Sequence, residues 1–71
     1  MDNHVLEFVG TILRQDTKQD LNAVVVASIV DKNHCGDGYF SWDGILDDLA
    51  DIVGQARASE ILGNCYGASH V

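Results

Sequence analysis

The chain has no proline among its 71 residues, so the commonest helix-breaking residue is missing throughout. It is also poor in positive charge, with four Lys and Arg against eleven Asp and Glu and a formal net charge of -7. We therefore expect no direct binding of nucleic acid or of an anionic membrane, because both require clustered basic residues. A protein with a basic surface is the expected partner of so acidic a chain.

Cysteine and long apolar runs are scarce as well. Cys35 and Cys65 are the only cysteines, and the longest apolar stretch, Ala23 to Val30, is too short to span a bilayer. The N-terminal residues lack the basic segment and long apolar run of a signal peptide. These features predict a cytoplasmic protein with free thiols, because disulfides are rare in a reducing compartment, and a Cys35–Cys65 disulfide is the alternative.

What is present indicates one small globular domain. The apolar fraction is 46%, which is ordinary for a folded domain and too high for a disordered chain. Apolar residues recur at helical spacing in four segments, so we predict an all-α fold of three to four helices. A chain this short buries only about 60% of its unfolded surface, and dimerisation through a leftover apolar face would add burial.

The predicted helices have recognisable ends. They cover residues 3–15, 18–32, 41–54 and 56–63, and the tail over residues 67–71 is expected to fray. Thr17-x-x-Asp20 resembles a capping box for the second helix. For residues 23–30 a buried strand is the alternative, since β-branched residues suit it, although the cap and the length favour helix. Ser41 and Gly54 are typical residues for the start and end of the third helix.

The segment "DKNHCGDGYFSWD", residues 31–43, resembles the calcium-binding loop of EF-hand proteins. Asp31, Asn33 and Asp37 match oxygen ligands of that loop, and Gly38 matches its sharp-turn glycine. The resemblance implies calcium coordination by these side chains, since calcium takes six to eight oxygen ligands. Two residues are inserted between the halves of the loop, however, and a glycine stands where the closing glutamate belongs. The alternative is a turn that connects two helices, and on that interpretation no cofactor is expected.

A second metal hypothesis uses four zinc-type ligands: His34, Cys35, Cys65 and His70. Their spacing is not that of paired zinc ligands, so inert cysteines are the alternative interpretation. The chain also has no Gly-x-Ser-x-Gly, phosphate-loop or dinucleotide-binding motif. A chain of this length has little room for a deep pocket. We therefore predict that it is not an enzyme.

The third predicted helix carries aspartates opposite its apolar stripe: Asp43, Asp47, Asp48 and Asp51. No basic residue occurs between Lys32 and Arg57, so the sequence predicts that these carboxylates have no local partner. Like charges four residues apart destabilise a helix by about 0.2–0.5 kcal/mol per pair. Aspartates at this unfavourable spacing would be useful if they bind a positively charged partner. The alternative is a solvated face that keeps the protein soluble.

The leading hypothesis is a soluble helical protein that binds another protein. The candidate contact residues are Asp37, Tyr39, Trp42, Asp43, Asp47, Asp48 and Asp51. Tyr39 and Trp42 would be aromatic anchors, because aromatic side chains dominate interface energies. Trp42 is also in phase with the apolar stripe, so a place in the core is its alternative.

A row of carboxylates has one more specific use. Residues four apart on a helix lie ~6 Å apart, which is of the same order as phosphate spacing along a nucleic-acid strand. Such a row could occupy a basic surface built for DNA or RNA. In size and charge the chain resembles phage-encoded anti-defence inhibitors such as anti-CRISPR proteins, which implies inhibition by nucleic-acid mimicry. The alternatives are a homodimeric regulatory module and a degenerate EF-hand-like calcium-binding domain.

Overall fold

The computed structural model describes residues 3–36 and 39–69, with side chains as far as residue 65. Within these ranges the chain forms no strand and has four helices: α1 (Asn3–Gln15), α2 (Ala23–Lys32), α3 (Trp42–Val53) and α4 (Gln55–Ser69). The predicted all-α fold is therefore confirmed. Residues 23–30 belong to a helix, so the strand alternative for them is wrong.

The four helices enclose one apolar core. α1 packs against α2 and α4, while α3 packs against α4 and α2. Each helix contributes the apolar residues that recur at its helical spacing, as expected for an amphipathic helix with one buried face. The buried core residues are Val5, Val9, Ile12, Val26, Ile29, Val30, Ile45, Leu49, Ala58, Ile61, Leu62 and Cys65.

The second helix begins later than the sequence predicts. It begins at Ala23 rather than at residue 18, and its N-cap is Asn22. The side-chain oxygen of Asn22 accepts hydrogen bonds from the backbone N–H groups of Val24 (2.8 Å) and Val25 (3.3 Å). Gln19 has a φ of 54°, a left-handed conformation that no helix interior contains. The predicted capping box and the predicted start at residue 18 are both wrong.

The buried carboxylate of Asp16 explains this difference. Its side chain is 1% exposed. It accepts hydrogen bonds from the backbone N–H groups of Lys18 (3.2 Å), Asp20 (3.1 Å) and Leu21 (3.3 Å). These bonds hold the loop between Asp16 and α2 in a non-helical turn. Nη2 of Arg57, on α4, donates to Asp16 and to Asp20. The connection between α1 and α2 is thereby fastened to α4.

The pKa of Asp16 depends on its burial and on these hydrogen bonds, which act in opposite directions. Burial raises the pKa of this carboxyl, because the charged form is poorly solvated in the interior. The hydrogen bond from Arg57 and the backbone bonds from Leu21 and Lys18 act in the opposite direction and prevail, so the pKa lies below its usual value of 3.8. Asp16 is therefore an ionised, buried and satisfied acceptor in the folded protein.

The ends of α3 follow from single residues. Oγ of Ser41 accepts a hydrogen bond from the backbone N–H of Gly44 at 3.3 Å, which caps the start of the helix. Gly54 has a φ of 92°, a conformation that glycine adopts without strain, and its N–H donates to the carbonyl of Ala50 at 2.8 Å. The chain turns there and α4 begins at the next residue.

The fourth helix extends further than the sequence predicts. It spans Gln55–Ser69 instead of 56–63, and Gly63 lies inside it. Burial of Ile61, Leu62 and Cys65 on both sides of this glycine stabilises the helix more than one glycine destabilises it, a cost of about 1 kcal/mol. Residues 67–69, for which we predicted fraying, are helical, and residues 70–71 lie outside the described residues. Among the described helices none has the length and apolarity needed to cross a membrane.

Candidate functional site

The loop between α2 and α3 presents one aromatic side chain outward and another inward. Its two sides pair through the N–H of Cys35 with the carbonyl of Tyr39 (2.8 Å) and the N–H of Ser41 with the carbonyl of Asn33 (2.9 Å). Neighbouring residues of an extended segment point to opposite sides. Tyr39 is accordingly 73% exposed, whereas Phe40 is half-buried against the core.

Three aromatic rings meet where this loop touches α1. Phe8 packs edge-on against Phe40, with ring centroids 4.8 Å apart and an interplanar angle of 76°. It also contacts Trp42, the first residue of α3, at 5.4 Å and 54°. Trp42 is 37% exposed although it joins this cluster.

The cluster forms the floor of an open groove of about 470 Å³. We call it the aromatic groove; it is lined by His4, Glu7, Phe8, Thr11, Tyr39, Phe40, Trp42 and Cys65. The α1 residues were not among the predicted contact residues. The sequence does indicate that these residues share one face of a helix, since His4, Glu7, Phe8 and Thr11 follow the spacing i, i+3, i+4, i+7. Sequence alone did not reveal that this face lies beside Tyr39 and Trp42.

Three aspartates form an exposed row on α3, which we call the acidic ridge: Asp43, Asp47 and Asp51. Residues four apart are neighbours on a helix surface, so the three carboxylates follow one line along α3. Within the described part of the chain their side chains make no ion pair and no hydrogen bond. Asp43 and Trp42 line one pocket, so the ridge meets the groove at the start of α3, and Asp47 and Asp51 lead away from it along the helix.

Asp48 does not belong to that row. Its Oδ2 lies 3.3 Å from Nζ of Lys32 and accepts a hydrogen bond from Nδ2 of Asn33 at 3.1 Å. The bond from Asn33 is the main cause that lowers the pKa of Asp48; burial opposes it and Lys32 adds to it. The prediction that all four aspartates lack a local partner is thus wrong for Asp48. Lys32 and Asn33 are distant in sequence, and only the packing of α2 on α3 brings them near.

One of the residues that resemble a calcium loop, Asn33, makes structural hydrogen bonds. Asn33 donates from Nδ2 to the carbonyl of Ile29 (2.8 Å) and to Asp48, so it links α2 to α3. Asp31 is exposed on α2, while Asp37 and Gly38 lie outside the described residues. Among the residues that the structure does describe, no three His, Cys, Asp or Glu side chains come close enough to hold a metal ion.

Three of the four zinc-type residues lie within the described part of the chain, and they belong to no group that could hold a metal ion. Cys65 is buried on α4 and Cys35 is exposed, and the two form no disulfide bond. Burial raises the pKa of the Cys65 thiol to about 11, which disfavours the thiolate that binds zinc. The ring of His34 lies 5.1 Å from that of Phe40, and its buried Nε2 has no hydrogen-bond partner. His70 lies outside the described residues.

The groove and the ridge together suit a partner that presents apolar and basic groups side by side. Exposed aromatic side chains supply contact area at a small cost in conformational entropy, and carboxylates without partners attract positive charge. Comparison of the chain with protein families, with curated proteins and with solved structures finds no match in any of the three.

Proposed function

We propose that this chain acts by binding a protein with a basic surface, through the acidic ridge and the aromatic groove. One observation supports the proposal more than any other. Tyr39 and Trp42 are 73% and 37% exposed at the point where the row of free carboxylates begins. Aromatic anchors beside charges of one sign combine the two contributions typical of a specific interface, contact area and electrostatic steering.

The net charge of the chain favours a basic partner. A net charge of -7 attracts a basic surface over a distance of about 8 Å at physiological salt and repels nucleic acid. Carboxylates one helical turn apart can each meet a Lys or Arg that would otherwise bind a phosphate. Inhibition of a nucleic-acid-binding protein is therefore the more specific form of the proposal. Phage anti-defence inhibitors, which the chain resembles in size and charge, provide the analogy.

Partner capture with three matched baits tests the proposal. The wild-type chain, a ridge variant (Asp47→Lys with Asp51→Lys) and a control variant (Asp31→Lys with Glu60→Lys) are immobilised and exposed to a lysate of the source cells. Both variants change the net charge equally, and all four side chains are exposed, so both are expected to fold. Proteins that the wild type retains are eluted with a salt gradient and tested for release of a labelled oligonucleotide.

We expect a basic protein that the wild type and the control variant retain and the ridge variant loses. Retention should fall steeply with salt, because each contact is an exposed ion pair. If the ridge variant retains the same protein at the same salt concentration, the ridge is not the contact surface. If the captured protein keeps its oligonucleotide when the chain is bound, binding remains and the inhibitory form is wrong.

Self-association is a second candidate, and a different surface supports it. Val24, Val25 and Ile52 are 74%, 40% and 51% exposed. Val25 and Ile52 line a shallow groove of about 200 Å³ at the opposite end of α3 from Trp42. Exposed apolar side chains next to one another are typical of an interface between copies.

Sedimentation velocity of the wild type and of Ile52→Gln tests self-association. If copies meet at this surface, the wild type should dimerise more strongly as salt screens the repulsion between two acidic chains, and the variant should sediment as a monomer. A wild type that stays monomeric at all protein and salt concentrations would exclude a homodimeric module. Equal dimerisation of both proteins would place the interface elsewhere.

A further inference from the structure

We infer that the aromatic groove takes an arginine side chain of the partner. This inference rests on the proposed function, because it names the group that the partner inserts beside the acidic ridge. The groove differs from the ridge in kind: it joins aromatic rings to one carboxylate in a concave site, whereas the ridge is a convex row of charges.

The rings offer aromatic surface to a flat cation on the floor of the groove. Phe8 packs directly against Phe40 and Trp42, with ring centroids 4.8 Å and 5.4 Å apart, so a cation would lie over this cluster and not between its rings. Tyr39 adds a fourth ring at the rim, where it is 73% exposed. A guanidinium that lies over an aromatic face within about 6 Å of the ring centre is attracted by the ring quadrupole, and arginine does this more often than lysine.

Glu7 supplies the matching charge. Its exposed carboxylate lines the groove and makes no ion pair or hydrogen bond within the described residues. No Lys or Arg is among the groove's described lining residues. The hydroxyl of Thr11 donates to the backbone carbonyl of Glu7 (3.0 Å) and accepts from Arg14 (3.2 Å), so that basic side chain is held beside Thr11.

Other occupants fit this chemistry less well. An apolar side chain would remove water from Glu7 without supplying a counter-charge, which is unfavourable. A nucleobase could stack on the rings, but its phosphates would meet a chain of net charge -7. An arginine places its planar face on the rings and its N–H groups on the carboxylate, and both parts of the groove are satisfied.

Three short peptides that differ at one position test the inference. They are acetyl-Lys-Gly-X-Gly-Lys-amide with arginine, citrulline or leucine at X. Citrulline keeps the planar shape of arginine and removes its charge. Trp42 is the only tryptophan of the chain, so its fluorescence reports binding at the groove or beside it, and amide shifts in ¹⁵N NMR spectra then locate the peptide.

We expect the arginine peptide to bind about fivefold more tightly than either of the others, the ratio that a cation–π contact and an exposed charged hydrogen bond provide. Amide shifts should centre on Glu7, Phe8 and Phe40. The variant Glu7→Gln should lose most of the preference for arginine. Glu60→Gln makes the same change in charge at the only other glutamate, which lies outside the groove, and should keep the preference.

Three results would overturn the inference: equal affinity for arginine and citrulline, tighter binding of leucine, or a fluorescence change with oligo(dT) instead of the peptides. The ridge variant separates this outcome from failure of the proposed function. If the ridge attracts basic partners, Asp47→Lys with Asp51→Lys weakens the binding of all three peptides, including the two that lack arginine. Suppose that the wild type shows no preference for the arginine peptide while the ridge variant binds all three peptides more weakly than the wild type does. In that case the groove inference is wrong and the proposed function stands.

Discussion

Replacing Asp16 with alanine is expected to lower the free energy of unfolding by about 3 kcal/mol. The side chain is 1% exposed, and four donors lose their acceptor when it is removed: three backbone N–H groups and the Arg57 guanidinium. A chain of this size has a total stability of about 5 kcal/mol, so the alanine variant would keep only about 2 kcal/mol and would unfold at a much lower urea concentration. Urea unfolding followed by circular dichroism measures the change.

Two further variants make this prediction decisive. Asp16→Asn keeps a neutral oxygen acceptor, so it should fold and should lie between the wild type and the alanine variant. Asp31→Ala removes an exposed carboxylate from α2 and should change the stability by less than about 0.5 kcal/mol. A loss for Asp16→Ala no larger than the loss for Asp31→Ala would show that the carboxylate does not organise the loop.

The same carboxylate predicts how stability depends on pH. Since the pKa of Asp16 is lowered in the folded state, its contribution is complete above the unfolded value of about 3.9 and is lost as the pH falls through the folded pKa. The stability difference between the wild type and Asp16→Asn should therefore be constant near neutral pH and shrink below about pH 4. A difference that does not change with pH would contradict an ionised, hydrogen-bonded Asp16.

Replacing Gly44 with alanine is expected to destabilise the protein by about 2 kcal/mol, although alanine is the better helix former. A Cβ at this position of α3 would collide with Oδ1 of Asn33. Asn33 cannot move freely, because Nδ2 is held by the carbonyl of Ile29 (2.8 Å) and by Asp48 (3.1 Å). The substitution therefore separates α2 from α3 or breaks these hydrogen bonds.

Gly63 provides the matched control for this substitution. It also lies inside a helix, but a Cβ there would meet nothing within 4 Å. Gly63→Ala should therefore stabilise the protein by about 1 kcal/mol through helix propensity alone. Thermal unfolding of both variants measures the difference in sign. If both substitutions stabilise the protein, the close contact between Gly44 and Asn33 does not exist in solution.

The ends of the helices show what local sequence can and cannot predict. Ser41 and Gly54 act within a few residues of their own position, and the structure has α3 between them. The start of α2 depends on Asp16 and on its contact with Arg57, which is 41 residues away in sequence. Propensity and capping patterns contain no information about such a contact. The predicted end of the fourth helix at residue 63 is wrong for a similar reason, since burial of Leu62 and Cys65 in the shared core favours continuation of the helix.

The candidate site also has features that local sequence predicts and features that depend on tertiary packing. The exposure of Asp43, Asp47 and Asp51 follows from helical spacing within α3, which is a local property. The pairing of Asp48 and the place of Phe8 beside Trp42 depend on how separate helices pack. Of the proposed binding surface, the ridge could therefore be predicted from the sequence pattern, whereas the groove could be recognised only from the tertiary structure.

The most direct test of the proposed binding surface is an amide chemical-shift map of ¹⁵N-labelled chain with and without the captured partner. We predict that the perturbed residues are those of the aromatic groove and the acidic ridge, from residues 4–11 of α1 through Tyr39 and Trp42 to Asp51. Addition of salt should reverse the shifts along the ridge first. Perturbation confined to Val24, Val25 and Ile52, with the ridge and the groove unchanged, would contradict binding through this surface.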